Sequence, residues 1–512
     1  MRRLNDITFH PFLFALYPVL YLYSVNAQEV ALSEIARSAV VLLGFAGVVL
    51  GVFWLLLRLQ KRKTSNAPKA AVPASLTVMT LALYCAVYEA HKNSALLGMV
   101  PIRHRTLAPV FAVCFVLVAW SIIRTVSPLR RFSAFLNTCS ALLLALPLVS
   151  LGQYAAFGGR PPAGNASARV NKWRLKTAPN QPKRDVYYII LDMYGRSDAL
   201  RDLYSCDNSG FIRGLERRGF YVADQGLSNY PGTMPSLASS LNTAYVQDMV
   251  TVTPREASRK HTAALRSLIR DNAVTRAFKQ AGYKVVFLPS GYQVTNSNKQ
   301  ADLVLRPSGI DPNEFERTLF NTVLDIFASG TVASAVKQTH YALDALERIP
   351  DIKALTFTFA HIVCPHPPYV FDENGNRPSV SETGDKKTAI KLYAAQMAYL
   401  DKRIERLVDV ILAKSETPPI IIIQSDHGPR VSPRDYAFDD FVRLRSGILN
   451  AYYLPAGGKQ ALYATISPVN TFRLVFREYF GVECGLLPDT IYEVKGTAVS
   501  YDYQRVRSTE PR

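Results

Sequence analysis

No CxxC pair occurs among the six cysteines of this 512-residue chain, so neither a zinc ribbon nor a thiol redox pair can be read from them. Cys85, Cys114 and Cys139 lie inside apolar runs and read as core residues. Cys206, Cys364 and Cys484 fall in mixed sequence; three admit one disulfide at most, and their spacing names no pair. Internal repeats are lacking, so the chain is no repeat array. An arginine-rich tail and a nucleic-acid-binding motif are lacking too, although 59 Lys and Arg face 40 Asp and Glu. The positive excess therefore points to anionic lipid headgroups and phosphorylated substrates, and not to nucleic acid. Charge is missing altogether from Val40–Leu57, which also has no polar side chain. A buried helix of a soluble protein does not account for such a stretch.

Five apolar runs, roughly Ile7–Tyr23, Ala36–Leu57, Ala74–Ala90, Leu107–Ile123 and Phe132–Phe157, approach or exceed the ~20 residues that cross a bilayer. Residues 1–157 are thus predicted to be an all-α transmembrane domain of about five helices. Arg2 and Arg3 precede the first run, Arg58 to Lys69 follow the second, and Arg124, Arg130 and Arg131 follow the fourth. Placing these clusters inside puts the N-terminus in the cytoplasm and everything after Phe157 outside it. The Lys92, Arg103 and Arg105 loop opposes this more weakly. The first run can also be read as a signal peptide ending at Val25-Asn26-Ala27, which leaves the large domain on the same side. Residues 158–184, rich in Pro, Gly, Ala and basic side chains, read as a linker on the membrane surface.

From 185 to 512 the pattern changes to short apolar strands alternating with longer periodic helices. Val186–Leu191, Lys284–Leu288, Leu355–Ala360, Pro419–Gln424 and Leu449–Leu454 read as strands. Gly210–Arg218, Thr262–Gly282, Thr388–Lys414 and Pro468–Phe480 read as helices. This predicts an α/β/α domain with a mostly parallel central sheet, whose ligands sit beyond the carboxyl ends of the strands.

Chemistry-bearing residues stand at those ends. Asp192 directly follows the first strand, and Asp426-His427-Gly428 follows the run IIIIQ. Two carboxylates and an imidazole are donors that zinc or manganese accepts. One strand-end acid alone is as well explained by a helix cap; two, one with an adjacent His, are not. In Asn229–Leu237, Pro235 suits a helix first turn, which sets Thr233 at the helix N-terminus. A hydroxyl there is placed to receive a phosphoryl group, though taken by itself it reads more readily as a plain N-cap. In Phe359–Tyr369, prolines flank His366, which can bind a phosphate oxygen or protonate a leaving group. His361, nearer the strand, reads as structural. Arg196 and Arg430 follow the two acidic motifs and are candidates for substrate contact, or for ordinary surface ion pairs.

The order strand-Asp192, Thr233-Met234-Pro235-Ser236, the His366 loop and Asp426-His427-Gly428 resembles the sulfatase-like branch of the alkaline phosphatase superfamily. Sulfatases carry Cys or Ser at the nucleophile position and Arg four residues on; here Thr233 and Leu237 stand there. Threonine cannot become formylglycine, which argues against sulfate-ester hydrolysis. With the five spans, the chain is similar to lipoteichoic acid synthases and lipid A phosphoethanolamine transferases. That resemblance implies metal ligands Asp192, Thr233, Asp426 and His427 (the first is usually Glu), a divalent Zn or Mn ion, and substrate contact by His366. After Gly428 only Arg430 and Arg434 occur where a second histidine would support a second metal. The implied reaction is transfer of a phosphoglycerol- or phosphoethanolamine-type group from a membrane phospholipid donor to an envelope glycan or glycolipid, in a bacterial inner membrane with the catalytic domain periplasmic. The alternatives are a phosphate or sulfate ester hydrolase with the same site, or a non-catalytic envelope assembly protein.

Overall fold

Six consecutive apolar residues, Val186–Leu191, form the strand β1, and every one is buried. A strand with no exposed face needs cover on both sides, and helices supply it. The computed structural model describes residues 7–26, 32–59, 67–93, 104–124, 129–156, 172–176, 182–250, 257–307, 330–379, 385–494 and 503–511. Lys61, Arg62, Lys63, Arg103 and most of the expected 158–184 linker lie outside them. Two compact units result.

The first unit contains α1 (His10–Asn26), α2 (Leu32–Leu59), α3 (Ala67–Asn93), α4 (His104–Arg124) and α5 (Arg130–Ala156). Among the described residues, three stretches are long and apolar enough to cross a membrane: Ile35–Leu59, Ala67–Tyr88 and Arg130–Ala156. The apolar stretch Leu107–Ile122 is shorter, and α1 has 17 residues. Among the described residues the unit thus has five helices, and three stretches within them reach full span length where five spans were expected. Arg58 lies 3.8 Å over the Trp54 ring and Arg124 4.1 Å over Trp120, so the last turns of α2 and α4 each end in a cation–aromatic pair. Inside the bundle, His10 is fully buried, with Nδ1 2.5 Å from Ser75 Oγ and Nε2 3.0 Å from Ser133 Oγ. Asn137 Oδ1 accepts the His10 amide, and Asn137 Nδ2 donates to the Ile7 carbonyl. These bonds satisfy polar groups at the start of α1 that an apolar surround would otherwise leave costly.

The second unit is built on a seven-stranded sheet of order β2-β7-β6-β1-β5-β3-β4. Its strands are β1, β2 (Tyr221–Val222), β3 (Lys284–Leu288), β4 (Leu303–Val304), β5 (Thr356–Ile362), β6 (Ile420–Gln424) and β7 (Asn450–Tyr453). Pairings among β6, β1, β5, β3 and β4 are parallel, while β7 runs antiparallel to β6 and to β2. A hairpin of β8 (Asp489–Val494) and β9 (Tyr503–Thr509) follows, which the sequence pattern did not announce. Val186, Tyr188 and Ile190 face one core with Phe278, Phe357, Phe472 and Phe476. Tyr187, Ile189 and Leu191 face the other, with Leu400, Ile404 and Val408 from the helix Lys386–Lys414. That helix starts where Asp385 accepts the amides of Lys387 and Thr388. The expected helix 262–282 is two helices, Ala257–Arg270 and Ala273–Gln280, because Asn272 caps a new start by accepting the Thr275 amide at 2.8 Å. Within the expected linker, Trp173 stacks edge-on against Phe476 and donates to Thr243 Oγ1 at 3.0 Å, so residues 172–176 belong to the domain's surface layer.

Candidate active site

The register of the three central strands gathers the acids and histidines. Ile190 of β1 pairs with His361 of β5 and with Gln424 of β6. Side chains two apart along a strand share a face. Asp192, two residues past Ile190, and Asp426, two residues past Gln424, therefore come out beside His361 at one rim of the sheet. Asp192, His361 and Asp426 are all buried, with donor atoms within 4.8 Å of one another. His361 Nε2 lies 3.3 Å from Asp192 Oδ2. His427 Nε2 lies 3.8 Å from Asp192 Oδ1, 3.6 Å from Asp426 Oδ2 and 3.3 Å from Thr233 Oγ1. Asp192, Thr233, Asp426 and His427 thus lie together, and His361, which sequence reasoning set aside as structural, stands among them.

Thr233 opens the helix α8 (Thr233–Ser240), introduced after α6 (Ser197–Tyr204) and α7 (Ser209–Arg217), with Gly232 as its extended N-cap. The preceding turn is fixed by its side chains. Asn229 accepts the Val469 amide and donates to Ser467 Oγ and the Thr490 carbonyl. Tyr230 stacks on Tyr492 and accepts the Val246 amide. Pro235 has no N–H, and the Ser236 amide bonds Gly232. The amides of Thr233 and Met234 find no acceptor among the described residues, as expected for a helix start.

The Asp426-His427-Gly428 turn is held as firmly. Asp426 Oδ1 accepts the amides of Met193 and His427. Ser425 Oγ donates to the His427 carbonyl and accepts the Tyr194 amide. Arg445, at the end of the helix Phe438–Ser446, donates to the Gly428 carbonyl at 2.9 Å and to the Pro231 carbonyl at 2.5 Å, with its Nη1 also 2.9 Å from His427 Nδ1. One guanidinium therefore ties the Thr233 turn to the turn that carries Asp426 and His427. Sequence gave no sign of it, because nothing in LRSGIL marks that arginine as inward. A Cβ on Gly428 would meet the Leu444 carbonyl oxygen at 2.0 Å. Gly428→Ala is expected to lower stability by on the order of 3 kcal/mol and to misplace His427. A thermal melt and a zinc-stoichiometry measurement check both.

The remaining sequence candidates are placed differently. His366 is half-buried in a loop with cis peptides before Pro365 and Pro368, and Gln396 Nε2 donates to its carbonyl at 3.2 Å. It is near enough for its charge to act on Asp192. Arg196 forks onto Asp198 and donates to the Gly226 carbonyl, so its guanidinium is already engaged by these two partners. Arg430 is exposed and makes no ion pair among the described residues. The cysteines are free.

Electrostatically the rim is an anionic hole. Burial works to raise the Asp192 carboxyl, but the neighbouring imidazoles of His361, His366 and His427 hold it below the usual carboxylate range. Burial lowers the His427 imidazole, with Asp426 pulling the other way. Asp192 Oδ1, Asp426 Oδ2 and His361 Nε2 are buried with no hydrogen-bond partner. Buried polar atoms are nearly always satisfied, and three orphans converging from three strands fit a divalent cation.

Behind this rim, Tyr194 donates to Asp401 Oδ1 at 2.7 Å. Burial raises the Asp401 carboxyl to about 8, with the Tyr194 bond opposing and Glu405 adding. A folded-state value above the unfolded one means that stability, full below pH ~4, is lost as pH rises toward 8. Asp401→Asn removes that loss. The variant is expected to melt near wild type at pH 5 and several degrees higher at pH 8.5, for a difference on the order of 3 kcal/mol; paired melts at the two pH values decide.

No curated protein matches the chain. Among solved structures, the C-terminal periplasmic domain of EcEptC from Escherichia coli matches at TM-score 0.44 and 15% identity, over 65% of this chain and 97% of that one. The integral membrane lipooligosaccharide phosphoethanolamine transferase A (EptA) from Neisseria meningitidis matches at 0.40 and 14%, over 90% and 94%. A 4S-sulfatase of Bacteroides thetaiotaomicron matches at 0.38 and 12%, over 63% and 84%. The sulfatase family model matches residues 184–466, which run from β1 past β7 and include every side chain of the rim. More than half of the chain is covered, and the protein belongs to the sulfatase family.

Proposed function

We propose that the chain is a membrane-anchored phosphotransferase that moves a phospholipid-derived group, of phosphoglycerol or phosphoethanolamine type, to an envelope glycan or lipid through Thr233. The observation that carries this reading is the 3.3 Å approach of Thr233 Oγ1 to His427 Nε2 beside the orphaned oxygens of Asp192 and Asp426. A hydroxyl at a helix start, beside such a donor set, is a nucleophile in waiting. A threonine at this position also cannot be oxidised to the aldehyde that sulfate-ester hydrolysis uses.

Asp192, Asp426, His427 and His361 would hold a divalent cation, zinc or manganese, which supplies positive charge that lowers the pKa of a bound hydroxyl and neutralises phosphate oxygens. Thr233 Oγ, its proton passing to water, would attack phosphorus, the new P–O bond forming as the bond from phosphorus to the lipid oxygen breaks. The amides of Thr233 and Met234, at the start of α8, would donate hydrogen bonds to a phosphoryl oxygen. His366 would protonate the departing lipid alkoxide. An acceptor hydroxyl then attacks the phosphothreonine diester from the vacated side and frees Thr233. Arg445 keeps the two turns in register through this cycle. The five-helix unit would keep the enzyme in the inner membrane with the second unit in the periplasm.

Family membership favours one rival, ester hydrolysis with water as the acceptor. Both are tested by incubating the detergent-solubilised protein with defined phospholipids and reading its intact mass. An adduct on Thr233 whose mass names the headgroup, and which is discharged by an added glycolipid faster than by water, supports transfer. Rapid discharge by water alone supports hydrolysis. No adduct with any donor on metal-loaded protein removes the transferase reading.

A further inference from the structure

The loop after β3 supports His361 through two buried hydroxyls. His361 Nδ1 is 2.6 Å from Thr295 Oγ1, which is 2.7 Å from Ser290 Oγ. Ser290 Oγ is 3.4 Å from the Tyr292 carbonyl and accepts the Tyr292 amide at 2.9 Å. Backbone bonds close the same turn, Ser290 amide to Thr295 carbonyl and Thr295 amide to Tyr292 carbonyl. Thr295 is fully buried and Ser290 nearly so.

Hydrogens can run along this chain in two directions. In one, Ser290 donates to Thr295, Thr295 donates to Nδ1, and the ring carries its hydrogen on Nε2 toward Asp192. In the other, Nδ1–H donates to Thr295, Thr295 to Ser290, and Ser290 to the Tyr292 carbonyl. The first requires a good Nε2–H bond to a carboxylate. The Nε2 to Asp192 Oδ2 separation is 3.3 Å, long beside the ~2.7–2.9 Å of a charge-assisted bond, and Nε2 makes no hydrogen bond. The second leaves an Nε2 lone pair facing two carboxylates, an arrangement that is repulsive in a buried site unless a cation lies between them.

We infer that Thr295, backed by Ser290, is a positioning residue that holds His361 in its Nδ1–H tautomer and so makes Nε2 a ligand of the cation shared with Asp192 and Asp426. This rests on the metal site proposed above and adds to it the residues that set its affinity. Outer-shell partners of ligating histidines commonly govern metal affinity by 10–100-fold.

The test uses the full chain in detergent, stripped by chelator and titrated with Zn²⁺ or Co²⁺ alone. Thr295→Val keeps the side-chain volume and removes the hydroxyl. It is expected to weaken Zn²⁺ binding about 10–100-fold and to alter the intensity of the visible Co²⁺ bands, with Thr295→Ser restoring both. His361→Ala should show the same loss. The metal-free melting temperature separates these effects from misfolding, since a purely structural threonine would lower it without changing the Co²⁺ spectrum of protein that remains folded. Wild-type binding with unchanged affinity and spectrum in Thr295→Val and His361→Ala overturns this inference and spares the metal site. Failure of wild type to bind either ion overturns both.

Discussion

Thr233→Ala is expected to abolish turnover, by about three orders of magnitude or more, and to erase the covalent phospho-adduct while leaving the fold intact. The size follows from the role: without the hydroxyl no first P–O bond can form, so the loss is that of a pathway and not of one contact. The intact fold follows from geometry. Thr233 Oγ1 makes one long bond, to His427 Nε2 at 3.3 Å, and the backbone of its turn is held by Asn229, Tyr230 and Arg445. Removing one hydroxyl and one methyl at a helix start costs roughly 1 kcal/mol, a shift of only a degree or two in the melt. Thr233→Ser should keep a measurable fraction of activity, because its hydroxyl can occupy the same place with more rotamer freedom. The decisive readings are intact mass and headgroup-transfer rate on protein of matched melting temperature. An alanine variant that still carries the adduct would relocate the nucleophile, and one that turns over without it would replace the two-step scheme by direct transfer.

The strand ends were legible because apolar runs terminate sharply. YYIIL into Asp192 and IIIIQ into Ser425-Asp426-His427 announce a buried strand and the residues that emerge from it. Pro235 likewise betrayed the start of α8, and with it the place of Thr233. His361 was hidden by the same logic in reverse. It lies inside β5, where a histidine between Ala360 and Ile362 looks like a satisfied core residue. Only the pairing with Ile190 shows that its strand position is level with the rim. Pairing register is a tertiary property, and no local pattern in a single strand encodes it. Arg445 was hidden because a helix-ending arginine is ordinary, and its value lies in groups brought from elsewhere: the Gly428 and Pro231 carbonyls, which accept from it, and the His427 ring beside it. Arg196 shows the converse. Its short distance in sequence from Asp192 suggested substrate contact, yet Asp198, two residues on, captures it in a forked ion pair. The antiparallel direction of β7 was also unreadable, since four residues of mixed pattern carry no direction. The long helices of the first unit were plain from composition, whereas the 17 residues of α1 leave it short of full span length.

Asp426→Asn should separate the site's cost from its function. Asp192 and Asp426 are 2% and 1% exposed, and each keeps one oxygen without a hydrogen bond. Without a cation, two buried carboxylates repel each other across a low-dielectric gap, and the nearby imidazoles and the Arg445 guanidinium offset them in part. Removing one charge relieves this. The Oδ1 position that accepts the Met193 and His427 amides is kept by the asparagine carbonyl. Metal-free Asp426→Asn is therefore expected to melt at or above metal-free wild type, even though its activity falls about a thousandfold or more and its zinc affinity at least about a hundredfold. Saturating metal should then reverse the order. A ligand that binds only the folded state stabilises it by roughly 4 kcal/mol at a thousand times its Kd, so wild type gains several degrees and the variant little. Chelator returns wild type to its lower melt. Four melts, each protein with and without zinc, make the comparison. A variant that gains as much from zinc as wild type would show that Asp426 is no ligand. One that melts lower in both states would show that its carboxylate stabilises the fold directly, as an acceptor of backbone amides and not as half of a metal-binding pair.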